Sequence, residues 1–102
     1  MTILVGGHIR IGEGEAERLA PLLAEHARAC SAEEGCDFYS FAFDAADPTL
    51  IRIQERWASV EALAAHGERD HQKAFGRALR DFDIREVKVD AWEGSFWRTL
   101  IG

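Results

Sequence analysis

Side chains that can transfer protons near neutral pH are few in this sequence, and they concentrate in one stretch. Two of the four histidines, His66 and His71, lie within residues 50–75 together with Trp57 and Phe75. An imidazole changes charge near neutral pH and can act as a general base, while aromatic rings can enclose a flat apolar ligand. We therefore expect this stretch to form one wall of a binding pocket.

His66 is the favoured catalytic base, because its short predicted helix follows a strand that ends in an aromatic residue. Gly67 should end that helix and hold His66 beside the cavity. The competing interpretation is a histidine that only caps carbonyl groups at a helix end. Trp57 could stack on a planar substrate, although a tryptophan at a strand end is more often part of the core. His71 should begin the next helix and is expected at the surface.

Three further side chains are candidates for substrate binding. Arg10 and Arg56 project from predicted strands and could stabilise the negative charge of a phenolate, although solvated salt bridges are the favoured interpretation. His8 is the third candidate, because it adjoins the pair Gly6 and Gly7. Glycines inside a strand indicate a bulge or the close approach of a neighbouring group, either a ligand or a helix.

Metal and nucleotide sites are not indicated by the motifs present. His66 and His71 are spaced as HxxxxH, not as the HExxH of zinc enzymes, so no metal site is predicted. Gly12 and Gly14 do not continue as GxGxxG, because Glu17 occupies the position of the third glycine. We therefore predict no bound metal and no nucleotide cofactor.

Cys30 and Cys36 are the only cysteines, and they are not spaced as CxxC. We expect both to be small buried packing residues. A disulfide between them would require the chain to turn sharply across Glu34 and Gly35. His26 lies on the apolar side of a predicted helix, and we expect it to be a core histidine with satisfied hydrogen bonds.

Length and composition indicate one soluble domain that spans residues 1–102. Hydrophobic residues make up 47% of the chain and charged residues 29%, which is typical of globular proteins. The net charge is −6 and the basic residues are scattered, which argues against nucleic-acid and anionic-membrane partners. The N-terminus lacks a basic leader followed by a long apolar run, so we predict a cytoplasmic protein.

Hydrophobic periodicity predicts four strands and two helical regions in the order strand, helix, strand, strand, helix, strand. Pro21 is compatible with the first helix only if the regular helix starts shortly before it or is kinked there. Ser59 is expected to cap the second helical region, Gly67 to break it and Asp70 to cap its second part. The predicted strands are residues 2–11, 36–43, 49–57 and 84–92, and the predicted helical regions are residues 15–32 and 59–82.

This order is typical of an α+β fold, the ferredoxin-like βαββαβ sandwich with an antiparallel sheet. Its helices cover only one face of the sheet, yet the strands carry apolar side chains on both faces. A second copy of the chain is the economical cover, which predicts a homodimer with twofold symmetry. Residues 94–102 are too apolar for a free tail and should pack on their own sheet or on a partner.

A set of short features recurs through the chain: Glu34-Gly35-Cys36-x-x-Tyr39, Asp47-Pro48, Glu55-Arg56-Trp57, Leu63-x-x-His66 and His71-x-x-x-Phe75. In their spacing the sequence resembles the antibiotic biosynthesis monooxygenase domain of the dimeric α+β barrel superfamily over about residues 2–92, so the fold that the resemblance implies is a dimeric α+β barrel. This resemblance implies a homodimer with one pocket per subunit, between the sheet and the second helical region. Haem degradation is disfavoured. Members of that branch carry an Asn on the first strand and a Trp on the second helix, whereas this chain has His8 and no Asn on its first strand and has His66 near the expected position of the Trp.

The resemblance implies a cofactor-independent monooxygenase that oxidises a small aromatic phenol, quinol or polyketide with molecular oxygen. Such an enzyme needs an apolar cavity, a base and a group that stabilises an anion, while the substrate supplies the electrons. One alternative is a non-catalytic dimer that binds a small molecule or serves as an accessory protein of a pathway. A further alternative is an isomerase or lyase that uses the same histidine without oxygen.

Overall fold

The computed structural model describes residues 1–102 and confirms the predicted ferredoxin-like order. Four strands form one antiparallel sheet, in which the second, third, first and fourth strands of the chain are neighbours in that order, with the helices packed on one face. A short 3-10 turn at Leu79–Asp81 connects the last helix to the last strand. The elements are β1 Thr2–Ile11, α1 Ala16–Ser31, β2 Cys36–Phe43, β3 Leu50–Trp57, α2 Val60–Gly67, α3 Asp70–Ala78 and β4 Ile84–Gly94.

Alternation along the two central strands builds the core, as the sequence predicted. Every second residue of β1 and β3 faces the helices, and all of these residues except Gly7 are buried, because successive side chains of a strand point to opposite faces. The buried apolar residues form two clusters, one around α1 and α3 and the other around α2. Their buried strand residues are Ile3, Val5, Ile9, Ile11, Tyr39, Ile51, Ile53 and Trp57.

Gly7 in β1 accommodates a neighbouring strand, which is neither of the two occupants considered from the sequence, whereas a side chain at Gly6 would make only ordinary contacts. A Cβ atom at Gly7 would stand 2.1 Å from the carbonyl oxygen of Lys88 in β4. The pairing of β1 with β4 runs without interruption through Gly6 and Gly7, and its only register shift lies between Arg10 and Ile11. Gly7 is therefore required by the close approach of a backbone, not by a ligand or a helix.

The second helical region departs from the prediction at two points. Ser59 caps α2 as expected, with its hydroxyl accepting a hydrogen bond from the backbone N–H of Ala62 at 3.1 Å. Asp70 does not cap α3, because Arg69 occupies the N-cap position and Asp70 is the first helical residue. There its carboxylate is still favourable for the helix dipole. The predicted helix up to residue 82 also stops earlier, since the chain tightens into the 3-10 turn after Ala78.

The outer face of the sheet has no covering layer within one chain. Leu4, Phe38 and Trp92 are large apolar residues exposed on the strands. Residues 94–102 do not pack on their own sheet, since Phe96 is 80% and Trp97 is 78% exposed. Packing on their own sheet, one of the two predicted locations for this segment, is therefore not observed, and packing on a partner stays a prediction. No helix is long and apolar enough to cross a membrane.

The turn between α1 and β2 provides a test of the packing of α2. Gly35 has a φ of +82°, and a Cβ atom there would stand 2.5 Å from the Cβ of Ala62 in α2. We expect Gly35→Ala to lower the free energy of unfolding by about 2 kcal/mol, because it adds backbone strain and a clash. Gly67→Ala is the matched control, since its side chain would enter open space.

Urea denaturation of both variants measures this difference. We expect Gly67→Ala to leave the free energy of unfolding unchanged or raise it by up to about 1 kcal/mol, because alanine is the better helix former. Equal effects of the two substitutions would contradict the positive φ at Gly35 and its contact with Ala62.

Candidate functional site

The five predicted site residues lie on both sides of the sheet. His66 and Trp57 are on the helix side, where their ring centroids are 4.8 Å apart. His8, Arg10 and Arg56 follow the other alternation of β1 and β3, so they lie on the outer face. Within one chain these residues therefore cannot surround one ligand, and two regions must be considered separately.

The sequence predicts Trp57 and His66 beside the cavity; in the structure their rings lie against each other, but both are enclosed. Trp57 is completely buried and His66 is 5% exposed, so neither ring presents a face to a ligand in this conformation. The indole Nε1 of Trp57 donates a hydrogen bond of 2.8 Å to Oε1 of Glu55. Burial raises the pKa of the Glu55 carboxyl, and this hydrogen bond opposes the shift. Trp57 therefore packs as a core residue and also donates a hydrogen bond to the buried carboxyl of Glu55.

The carboxylate of Glu33 connects the two histidines of the central stretch. Its Oε2 accepts hydrogen bonds from Nδ1 of His66 at 2.8 Å and from Nε2 of His71 at 2.7 Å. The Glu33 side chain is only 4% exposed, and the guanidinium of Arg69 stands at 3.4 Å from its Oε1. Burial opposes ionisation, but the hydrogen bonds from the two histidines outweigh it and lower the pKa of Glu33. Glu33 is thus a buried anion supported by two imidazoles.

Glu33 was missed from the sequence, because it follows a helix end beside another glutamate and so appears to be a surface residue. The burial arises from the turn into β2, which places Glu33 against α2 and the start of α3. His71 was expected at the surface, and its side chain is 34% exposed while one nitrogen is held by Glu33. The chain thus provides one partly exposed imidazole with an ordered carboxylate behind it.

A cavity of about 240 Å³ opens between α1 and α3, next to His71. The ring of His26 stacks on Phe75 at one wall, with centroids 3.9 Å apart and planes inclined by 4°. Nε2 of His26 donates to the side-chain oxygen of Gln72 at 2.8 Å, so His26 is a satisfied core histidine. Burial lowers the pKa of His26 and keeps its ring neutral. The lining residues are Leu22, Glu25, His26, Ala29, His71, Ala74, Phe75 and Ala78.

Both cysteines are free thiols, and Cys30 is buried as predicted, whereas Cys36 is only partly buried. Cys30 is completely buried, and its Sγ lies 3.3 Å from Nε2 of His26. Burial raises the pKa of the Cys30 thiol to about 12, with the charge of Glu33 as a further cause. Cys36 is partly exposed, and its thiol donates to the carbonyl oxygen of Phe38. Neither thiol is therefore an activated nucleophile.

The outer-face candidates are engaged in polar contacts of their own. His8 is hydrogen-bonded to Glu86, and Arg10 donates to Asp47 Oδ2 at 3.2 Å. The guanidinium of Arg56 lies 6.0 Å from the ring centroid of Phe38. An open groove of about 470 Å³ runs past His8, with Gly6 and Gly7 at its floor. A substrate role for His8, Arg10 and Arg56 stays a prediction that depends on what covers this face.

The sequence profile of the antibiotic biosynthesis monooxygenase family matches residues 2–78. No curated protein matches the sequence. A solved Deinococcus radiodurans protein, provisionally described as an antibiotic biosynthesis monooxygenase, is 25% identical, with a TM-score of 0.89 over 100% of both chains. A Pseudomonas aeruginosa protein is 26% identical, with a TM-score of 0.82 over 93% of this chain and 95% of that one. A Nitrosomonas europaea protein of the same provisional description shares the fold at 17% identity, with a TM-score of 0.84 over 91% and 89%.

Proposed function

This chain belongs to the antibiotic biosynthesis monooxygenase family, and we propose that it oxidises a small phenol or quinol with molecular oxygen and without a cofactor. The observation that carries the proposal is the pair of hydrogen bonds from His66 and His71 to Glu33, beside an aromatic-walled cavity. A base supported by a buried carboxylate is what proton abstraction from a phenol requires. The cavity provides the apolar surroundings.

The size of the cavity favours a substrate with one or two rings. A cavity of 150 Å³ is known to hold benzene, and pockets for drug-sized ligands span about 300–1,000 Å³. The volume of about 240 Å³ beside His71 falls between these values. Of the substrates implied by the family resemblance, a simple phenol or quinol therefore fits this cavity better than a polycyclic polyketide.

His71 is the better placed base, although the sequence favoured His66. Its Nε2 carries the proton donated to Glu33, so in the neutral ring Nδ1 is the nitrogen that can accept a proton. Glu33 then stabilises the imidazolium that forms, while His66 holds Glu33 from the buried side. His66 is a positioning residue in this arrangement, because it is enclosed beneath the site.

The reaction balances without an external reductant. His71 accepts the proton of a quinol hydroxyl, and the resulting anion donates its electrons to oxygen. One oxygen atom forms a new bond to the ring, and the other leaves as water with two hydrogens from the substrate. A quinol and one molecule of oxygen thus give a hydroxyquinone and one molecule of water. The four electrons needed to reduce oxygen all come from the substrate.

The proposal includes a homodimer in which a second copy covers the outer face of the sheet. That face carries exposed Leu4, Phe38 and Trp92, and residues 94–102 present further apolar side chains that lack a partner within the chain. Soluble proteins rarely leave large contiguous apolar surfaces exposed, and closed twofold assemblies are the commonest way to cover them. In such a dimer His8, Arg10 and Arg56 would lie inside the barrel.

Oxygen uptake with a panel of substituted hydroquinones tests the activity, using protein freed of metal, flavin and haem. We expect uptake by the wild-type protein and a loss of about 10- to 100-fold in Glu33→Gln, because a charge-assisted hydrogen bond is worth about 1.5–3 kcal/mol. Glu34→Gln is the matched control, since Glu34 is the exposed neighbour in sequence. We expect it to retain wild-type turnover.

The same panel of hydroquinones separates the competing functions when thermal stabilisation and anaerobic turnover are measured beside oxygen uptake. Thermal stabilisation by a hydroquinone without oxygen uptake would indicate a binding protein and overturn the monooxygenase proposal. Turnover under anaerobic conditions would instead indicate an isomerase or lyase. Equal activity of Glu33→Gln and Glu34→Gln would place the chemistry away from the helix-side cavity.

A further inference from the structure

We propose that Cys30, Glu33, His66 and His71 form a binding site for one divalent transition metal of the zinc class. Their donor atoms, one from each side chain, all lie within 4.8 Å of one another. Three of the four groups are already gathered around one point, because the imidazoles of His66 and His71 contact the same oxygen of Glu33. The cluster combines one sulfur, two nitrogens and one oxygen.

A buried oxygen without a hydrogen-bond partner is the second observation. Oε1 of Glu33 is shielded from solvent and accepts no hydrogen bond. Nε of Arg69 lies at 3.4 Å, which allows attraction between the charges but is not aligned as a donor. Burying an unsatisfied carboxylate oxygen is costly, and nearly all such oxygens in folded proteins have a partner or coordinate an ion. A cation bound at the cluster would satisfy Glu33.

The donor types and the distances both suit zinc or cobalt. Thiolate and imidazole ligands favour zinc-class ions over magnesium and calcium, which prefer oxygen ligands alone. Zinc bonds of about 2.0–2.3 Å place tetrahedral donor atoms roughly 3.3–3.8 Å from one another. The histidine nitrogens stand 2.7 and 2.8 Å from Glu33 and must move slightly apart, while donor atoms separated by up to 4.8 Å must move about 1 Å closer.

An ion can reach the cluster through an open pocket at the junction of α1 and α3. Glu33, Arg69, Asp70 and His71 are among its lining residues. Binding would deprotonate the Cys30 thiol, with the proton released to solvent, since metal-bound thiols are deprotonated. The HxxxxH spacing could not predict this site, because two of the four donors come from α1 and the turn after it.

Metal binding would switch off the proposed base, a consequence that rests on the proposed function. A metal ion at Nε2 of His71 fixes the ring proton on Nδ1, and Nδ1 is the atom that accepts the substrate proton. The ion also takes the carboxylate of Glu33. Zinc should therefore inhibit oxygen uptake at one equivalent per chain, and a chelator should restore it.

Cobalt titration of the metal-free protein tests the site without any substrate. We expect one Co²⁺ per chain to produce strong visible absorption from four-coordinate cobalt and a near-ultraviolet sulfur-to-cobalt band. Cys30→Ser should lose the sulfur band, while Cys36→Ser, the matched control, should retain it. Glu33→Gln and His71→Ala should each weaken cobalt affinity at least tenfold, and Glu34→Gln should not. One equivalent of zinc should displace the cobalt.

The proposal is overturned if one equivalent of Co²⁺ produces neither band, or if the spectrum persists in the Glu33→Gln/His71→Ala double variant. Circular dichroism is the check that each variant is folded. Because His71 is partly exposed, its substitution should have little effect on the core. Cobalt binding in a protein that takes up no oxygen would support the site and reject only the inhibition. Uptake without cobalt binding would support the oxygenase and reject the site.

Discussion

Replacing His71 with alanine is expected to lower turnover of a hydroquinone by about 10²- to 10⁴-fold, the usual contribution of a positioned general base. The effect should appear in kcat more than in KM, because proton transfer belongs to the chemical step. Stability should change little, since the His71 side chain is 34% exposed and Glu33 keeps its hydrogen bond from His66. Oxygen-uptake kinetics and urea denaturation of the same preparation measure both quantities.

His66→Ala is the informative comparison. His66 is almost completely buried, so its removal should reduce both stability and turnover. Added imidazole should partly restore His71→Ala, where the missing ring leaves an accessible gap, and should do less for the enclosed position of His66. Full activity of His71→Ala together with an inactive but stable His66→Ala would indicate that His66, which the sequence favoured, is the catalytic base.

The fold was predictable because its information is local and periodic. Alternation along β1 and β3 assigned the buried face residue by residue, and Ser59 marked the start of α2 through its capping side chain. The errors fall where two local signals compete. Asp70 is a good cap by type, yet Arg69 occupies the N-cap position. Residues 94–102 are apolar but find no surface within their own chain.

The site was less predictable because it depends on which face of the sheet each residue takes. The sequence predicted that His66 and Trp57 would lie beside a pocket; the structure brings their ring centroids to 4.8 Å but buries both side chains. The sequence could not show that His8 lies on the opposite side of the sheet from His66 and Trp57. Alternation divides the side chains of a strand between two faces, but it does not indicate which face the helices cover. Glu33 carries no local signal, since its burial depends on the packing of a turn against the second helical region.

Trp57→Ala is expected to lower the free energy of unfolding by about 3–5 kcal/mol, the range for removing a large aromatic side chain from a core. Trp57 is completely buried, and its cluster includes Ile3, Val5, Cys30 and Tyr39. The substitution also leaves the buried carboxyl of Glu55 without its indole donor. For a domain of 102 residues, a loss of this size removes a large part of the total stability.

Trp57→Phe separates packing from hydrogen bonding and decides between the two roles that the sequence left open. The phenyl ring keeps most of the packing but cannot donate to Glu55, so we expect a loss of about 1–3 kcal/mol. Glu55→Gln is the matched control, because its amide oxygen still accepts from Trp57. Urea denaturation should therefore show a larger loss of unfolding free energy for Trp57→Ala than for Trp57→Phe. If Trp57→Phe instead left stability unchanged and raised KM several-fold, Trp57 would be stacking on the substrate, and α2 would have to open during catalysis.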